Sequence, residues 1–149
     1  MTQINDDDLI FAAMARTEVT VNEFEDLRDG LNSLNSEQHI LYALSTFNME
    51  VNNGGICQFS VNAGRSVAPM IGHYMEIIGA EEHQQLYEEF TEKYEIDLED
   101  LSSFDSETAE EFSMQYERYP FEEYDDAFYK LEPLENYLIP YIKSNIEKF

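Results

Sequence analysis

The side chains best able to do chemistry in this sequence are carboxylates, which recur on predicted helices three and four residues apart. At this spacing side chains share one helix face, with Cβ atoms roughly 5–6 Å apart. Carboxylate rows with few cations between them attract arginine and lysine side chains, as phosphates do. The candidate partner-binding residues are Glu81, Glu82, Glu88, Glu89, Glu107, Glu110, Glu111, Glu117, Glu122, Glu123, Asp125 and Asp126.

Histidine and cysteine add little to this chemistry. None of the three histidines, His39, His73 and His83, belongs to an H-E-x-x-H or Glu-x-x-His motif. Cys57 has no base beside it in sequence and is interpreted as a buried structural thiol. The chain carries no P-loop, dinucleotide-binding glycine motif or G-x-S-x-G elbow. We therefore predict a protein that is not an enzyme and that uses no metal or cofactor.

The net charge is extreme and unevenly distributed. The 149 residues include 32 acidic and 8 basic side chains, a net charge of −24. Residues 1–75 carry a net charge of −7, and residues 76–149 carry −17. Such a surface repels nucleic acid and anionic membranes, because binding to either one requires lysine and arginine. The composition therefore predicts a basic protein as the partner, with no direct contact to nucleic acid or membrane.

The amino-terminal segment argues against export. Asp6, Asp7 and Asp8 stand where a secretory signal needs positive charge. No apolar run approaches the length of about 18 residues that suggests a membrane span. A single cysteine cannot form an intramolecular disulfide, which suits a reducing compartment. We expect a cytoplasmic protein.

Helical periodicity predicts an all-α fold, a single multi-helix domain over residues 1–149 with about seven to nine helices. The clearest helix begins at Asn35 or Ser36 and is predicted to end at 52–55, because Asn and Gly tolerate positive φ. Pro140 is expected to kink or split the last helix. The first helix is predicted to follow a cap at Asn5 or Asp6, with an apolar stripe over residues 9–14. The other predicted helices cover residues 22–31, 66–78, 80–94, 106–116, 121–131 and 133–148.

A polar, glycine-rich segment lies between residues 48 and 64. Its distinctive residues are Glu50, Asn53, Gly54, Gly55, Gln58, Phe59, Asn62 and Gly64. Together they resemble the E-x-x-N-G-G-F-x-Q-F-F-x-N-x-x-G signature of a bacterial family of small helical proteins that includes a DNA-mimic protein. Ile56 and Ser60 replace aromatic residues of that signature, and the segments 77–80 and 124–129 also resemble family segments.

The resemblance implies a helical fold. For at least one family member it also implies a dimer whose DNA-like negative surface occupies the DNA-binding site of a transcription factor. We interpret the motif as mainly structural: its two adjacent glycines turn the chain, and Asn53, Gln58 and Asn62 satisfy backbone groups around that turn. The alternative interpretation is a polar pocket for a small ligand.

The working hypothesis is a non-enzymatic DNA mimic. Its acidic helices, chiefly between Glu81 and Asp126, would bind the nucleic-acid-binding surface of a basic protein and block it. The resemblance adds the expectation of a homodimer. Two alternatives remain open at this point: an immunity or antitoxin protein that neutralises a basic nuclease toxin, and a small-ligand-binding helical domain.

Overall fold

The computed structural model describes residues 5–149, apart from the side chain of Asp7, and its regular elements are helices. Within this range there is no β-strand, which confirms the predicted all-α fold. None of the helices described combines the length and hydrophobicity required to cross a membrane. The α-helices are α1 (Asp6–Asn22), α2 (Leu27–Asn32), α3 (Ser36–Val61), α4 (Ile71–Ile78), α5 (Glu81–Lys93), α6 (Ala109–Glu117), α7 (Phe121–Lys130) and α8 (Glu135–Ser144). Short 3-10 helices cover Ala63–Met70, Ser102–Phe104 and Ile146–Lys148.

Local capping signals explain several helix ends. The Asp26 carboxylate accepts a hydrogen bond from the Arg28 N–H at 2.8 Å and begins α2. At α6 the cap is Thr108, whose hydroxyl accepts from the Glu111 N–H at 3.1 Å. Gly79 ends α4 in the left-handed conformation, with a φ of 86°.

Several predicted boundaries were wrong. The helix predicted over 22–31 is α2, which begins only at Leu27 because α1 continues to Asn22. The first part of the helix predicted over 66–78 is a 3-10 helix that contains Pro69, a residue with no backbone N–H to donate. Pro140 does not split the last helix, because α8 continues past it to Ser144.

The chain divides into two compact units, a division that the sequence did not indicate. One unit comprises residues 1–45 and 133–149, and the other comprises residues 46–132. The boundary between residues 45 and 46 falls within α3, so this helix supplies residues to both units. A single folding domain over residues 1–149 stays a prediction.

In the first unit α1 packs against α2 and α8. The inward face of α1 buries Leu9, Ala13 and Val21, which recur at helical spacing. On α8 the buried residues are Leu138 and Ile142. Apolar burial of this kind contributes about 25 cal/mol per Å² and holds the helices together.

Aromatic rings dominate the core of the second unit, in which α5 packs against α4 and α7. The Phe47 ring meets the rings of Phe59, Tyr87 and Phe128 edge to face, at centroid distances of 5.0, 5.4 and 5.8 Å. Such edge-to-face pairs contribute about 0.5–1.5 kcal/mol beyond area burial. The buried Tyr87 hydroxyl also donates to the Ala68 carbonyl at 3.0 Å, so its polar atom is satisfied.

Candidate functional site

The acidic residues predicted to bind a partner all lie in the second unit, on or beside α5, α6 and α7. By sequence, residues 46–132 hold 21 acidic and 4 basic side chains, a net charge of −17. The residues of the first unit hold 11 acidic and 4 basic side chains, a net charge of −7. The negative charge is therefore concentrated in one structural unit, and the helices of that unit position it.

Eleven of the twelve predicted residues reach the surface of this unit. Ten are exposed, and Glu88 is half-buried where its Oε1 accepts from Gln84 Nε2 at 3.2 Å. Among residues 5–149 none of the eleven forms an ion pair, whereas Arg65 and Asp105 pair at 2.6 Å elsewhere in the unit. These carboxylates therefore keep most of their negative field available to an approaching cation.

Six of the eleven have a local structural role as well. They occupy the first turns of their helices, where the partial positive charge of the helix amino terminus stabilises a carboxylate by about 0.3–1 kcal/mol. The remaining acids have no such position in their helices, so helix stability does not account for the whole set. The six first-turn residues are Glu81, Glu82, Glu110, Glu111, Glu122 and Glu123.

Asp125 is the exception, and its assignment to the partner-binding surface was wrong. Its side chain is only 5% exposed, and its Oδ1 accepts from the Ile56 N–H at 2.9 Å. It shares the buried face of α7 with Phe121, Tyr124 and Phe128. This i, i+3, i+4, i+7 pattern was present in the sequence and indicates an inward position, although the residue is charged.

Asp125 meets α3 where that helix is broken. Gly55 has a φ of 82° and a ψ of −177°, so two helical segments join there rather than one continuing through. The Ile56 N–H begins the second segment without a helical acceptor, and the Asp125 carboxylate supplies one. The predicted helix end at 52–55 was thus wrong in part: the chain breaks at Gly55 but resumes as helix to Val61.

Three polar residues of the motif, Glu50, Gln58 and Asn62, bind one another. Glu50 Oε2 accepts from Gln58 Nε2 and from Asn62 Nδ2, both at 2.8 Å. These amides were predicted to satisfy backbone groups, and they bind a carboxylate instead. A Cβ on Gly54 would collide with the Gln58 side chain, and Asn53 is exposed. Engagement of both amides within the motif favours the structural interpretation over a ligand pocket.

Phe59 and Gly64 complete the motif by packing. Phe59 is 1% exposed and lies against Phe47 in the core. Gly64 lies against Thr46, whose methyl group a Cβ would meet. Ser60, one of the departures from the family signature, donates its hydroxyl to a backbone carbonyl one turn earlier at 2.9 Å. The serine that stands in place of the aromatic residue therefore has a hydrogen-bond partner for its hydroxyl.

Burial controls the ionisation of the groups around the break. Burial raises the pKa of Asp125 to about 6, and the like charges of Asp126 and Glu122 add to the shift. Burial also raises the pKa of the Cys57 thiol to about 12, so it stays protonated at neutral pH and is a poor nucleophile. Within the described part of the chain, no group of three or more His, Cys, Asp or Glu side chains could hold a metal ion.

The raised pKa of Asp125 predicts a pH-dependent effect of its neutral isostere. When the folded pKa of an aspartate is raised, its contribution to stability is fully present below the unfolded pKa and is lost as pH rises from there through about 6. In Asp125→Asn the amide oxygen can still accept from the Ile56 N–H without a buried charge. We expect the variant to be more stable than the wild type at pH 8 by about 2–3 kcal/mol, since each pKa unit corresponds to about 1.4 kcal/mol.

Urea unfolding of both proteins at pH 8 and at pH 5 measures this difference, which should shrink at pH 5. The matched control is Asp126→Asn, because Asp126 is the exposed neighbour and the change in charge is the same. A stability gain of equal size in both variants would show that general charge repulsion, rather than burial of Asp125, is the cause.

The chain is similar to a known protein family. A family model described as DMP19-like protein matches residues 32–145, which is more than half of the chain. This match confirms the resemblance at the level of the family, and the matched range spans residues 48–64 and the acidic helices. No curated protein and no solved structure is significantly similar to the chain.

Proposed function

Because the chain belongs to the DMP19-like protein family, we propose that it is a DNA mimic, a non-enzymatic cytoplasmic protein that binds the DNA-binding surface of a basic protein and blocks it. The observation that carries this proposal is the set of exposed carboxylates on α5, α6 and α7, none of them ion-paired within residues 5–149. The family membership supports the same class of function, and the partner would be a transcription factor or another nucleic-acid-binding protein.

Rigid presentation makes these carboxylates suitable for the role. A DNA-binding surface offers arginine and lysine side chains that are placed to neutralise phosphates. The carboxylates on α5 and α7, two helices that pack against each other, meet such cations with little loss of backbone freedom, because these helices are ordered before binding. The field of a unit with a net charge of −17 also steers a cationic partner during encounter, which raises the association rate at low salt.

Competition with duplex DNA tests the proposal. We expect DNA-binding proteins from a cell lysate to be retained by the immobilised protein at low salt and to be released by added duplex DNA. Retention should fall steeply between 50 and 300 mM salt, since surface charges are screened over about 10 Å at 0.1 M. Mass spectrometry of the DNA-released fraction identifies the partner.

The control is immobilised protein with Glu89→Gln, Glu117→Gln and Asp126→Asn, which carries three fewer negative charges on the same helices. A partner that stays bound in excess duplex DNA would rule out mimicry. That partner could prove to be a nuclease whose catalytic activity the protein inhibits without competing for DNA. The immunity-protein alternative would then replace the DNA-mimic proposal.

A further inference from the structure

The second unit carries a group of tyrosines beside its acidic helices. Tyr94 follows α5 and Tyr119 precedes α7, and their ring centroids lie 5.8 Å apart. Both side chains are half-buried, and both rings contact the fully buried Phe90, at 5.5 Å and 6.4 Å. We call Tyr94 and Tyr119 the tyrosine pair. The core thus holds two aromatic rings rigidly at the surface, each with part of its area open to solvent.

The rings of the pair already carry cations from their own chain. Lys93 Nζ lies 5.6 Å from the Tyr94 ring centroid, and Arg118 Cζ lies 5.3 Å from that of Tyr119. The residues 46–132 contain only four basic side chains in sequence, so half of them stand over this pair. A cation within about 6 Å of a tyrosine centroid is attracted by the ring quadrupole. The pair is therefore a cation-binding surface in the free protein.

The two cations differ in how firmly they are held. Arg118 also donates to the Ser103 carbonyl at 2.9 Å and to Gln115 Oε1 at 2.6 Å, which anchors its guanidinium over Tyr119. Lys93 is exposed, and within residues 5–149 it is held only through Tyr94, by the ring contact and by a side-chain hydrogen bond. Lysine is also a flexible, strongly hydrated point charge. A cation from another protein therefore displaces Lys93 from Tyr94 more easily than it displaces Arg118 from Tyr119.

The surroundings of the pair are negative. The Tyr124 ring lies 6.2 Å from that of Tyr94, and the pKa of Tyr124 is raised mainly by burial and further by the charges of Glu89 and Glu123. An arriving cation thus finds carboxylates next to an aromatic face. Arginine suits this combination better than lysine, because a planar guanidinium stacks on a ring while its N–H groups still reach carboxylates.

We propose that Tyr94 is an anchor point at which the partner places an arginine side chain, flanked by Glu89 and Glu123, so that this protein selects arginine-rich over lysine-rich basic surfaces. The inference rests on the proposed function and refines it. Negative charge alone attracts either cation, whereas the aromatic ring adds a preference between them. Tyr94 would thus supply part of the specificity that a uniformly acidic surface lacks.

Binding of fluorescent deca-arginine and deca-lysine peptides to the full chain tests the proposal by anisotropy. The measured quantity is the ratio of the two dissociation constants. In Tyr94→Leu we expect the preference for deca-arginine to fall by up to about 5-fold relative to wild type, because lysine gains part of the exposed cation–π contact as well. Tyr94→Phe keeps the ring and should retain the wild-type ratio.

Two further variants secure the interpretation. Glu89→Gln should weaken the binding of both peptides and that of deca-arginine by the larger factor, because a guanidinium stacked on the ring also reaches this carboxylate. Lys93→Gln changes an exposed residue and leaves the core intact. It should strengthen deca-arginine binding more than deca-lysine binding, because it removes the lysine that lies over the Tyr94 ring. An unchanged ratio in both Tyr94→Leu and Lys93→Gln overturns the anchor while DNA mimicry stands. Failure of the wild type to bind either peptide at low salt would instead overturn both.

Discussion

Replacing Glu89 and Glu117 with glutamine and Asp126 with asparagine is expected to weaken partner binding by about 10- to 100-fold at low salt, while the free protein keeps its stability. Charged pairs across an interface are often worth about 1 kcal/mol or more each, so three lost pairs change the affinity by this order. These three acids are exposed, and they lie outside the first turns of their helices. Their removal therefore lowers charge repulsion without loss of helix-dipole stabilisation.

A matched triple variant in the first unit separates local charge from total charge. Glu18, Glu23 and Glu25 are also exposed, and their replacement by glutamine changes the net charge by the same amount. Titration calorimetry against the purified partner should show less than about a 3-fold loss for this control, since exposed charges that do not contact the partner are largely screened. Equal losses in both triple variants would mean that the overall field, rather than the α5–α7 surface, determines binding. Thermal melts of both variants verify that each is folded.

Gly55→Ala is expected to destabilise the protein by about 2–4 kcal/mol and to lower the melting temperature by roughly 5–15 °C. Two physical effects combine at this position. The φ of 82° with a ψ of −177° lies in a region that is essentially restricted to glycine. In addition, a Cβ would overlap the Asp125 carboxylate, which is held in place by the Ile56 N–H. The new methyl group therefore strains the backbone and displaces a buried acceptor.

Gly79→Ala is the matched control for backbone strain alone. Gly79 also has a positive φ of 86°, but a Cβ built there would have no atom within 4 Å apart from those of its chain neighbours. It should cost about 1 kcal/mol, the usual penalty for a non-glycine residue at a left-handed helix end. Combining Gly55→Ala with Asp125→Ala should give a smaller loss than the sum of the single variants, because the overlap is removed. Gly55→Ala that is no worse than Gly79→Ala would contradict the packing argument.

Much of the fold was predictable because its signals are local. Gly79 as the end of α4 and Pro120 as the residue before α7 act through the conformations that single residues allow. The start of α3 beside Asn35 follows from its capping side chain, which accepts from the Gln38 N–H at 2.8 Å. Boundaries failed where the signal was ambiguous, as at Asn22, which suits both the end of one helix and the beginning of the next.

The sequence alone determined the helical class, the family and the excess of carboxylates toward the second half of the chain, because composition, period and motif are properties of the chain itself. It could not assign Asp125, since a charged residue at an inward helical position is resolved only by the partner that folding brings to it, here the Ile56 N–H from α3. The division into two units and the tyrosine pair were likewise decided by tertiary structure, because both depend on contacts between segments far apart in sequence. The contact between Asp125 and α3 also explains why the motif needs Gly55. In the sequence alone, Gly55 resembles an ordinary helix end.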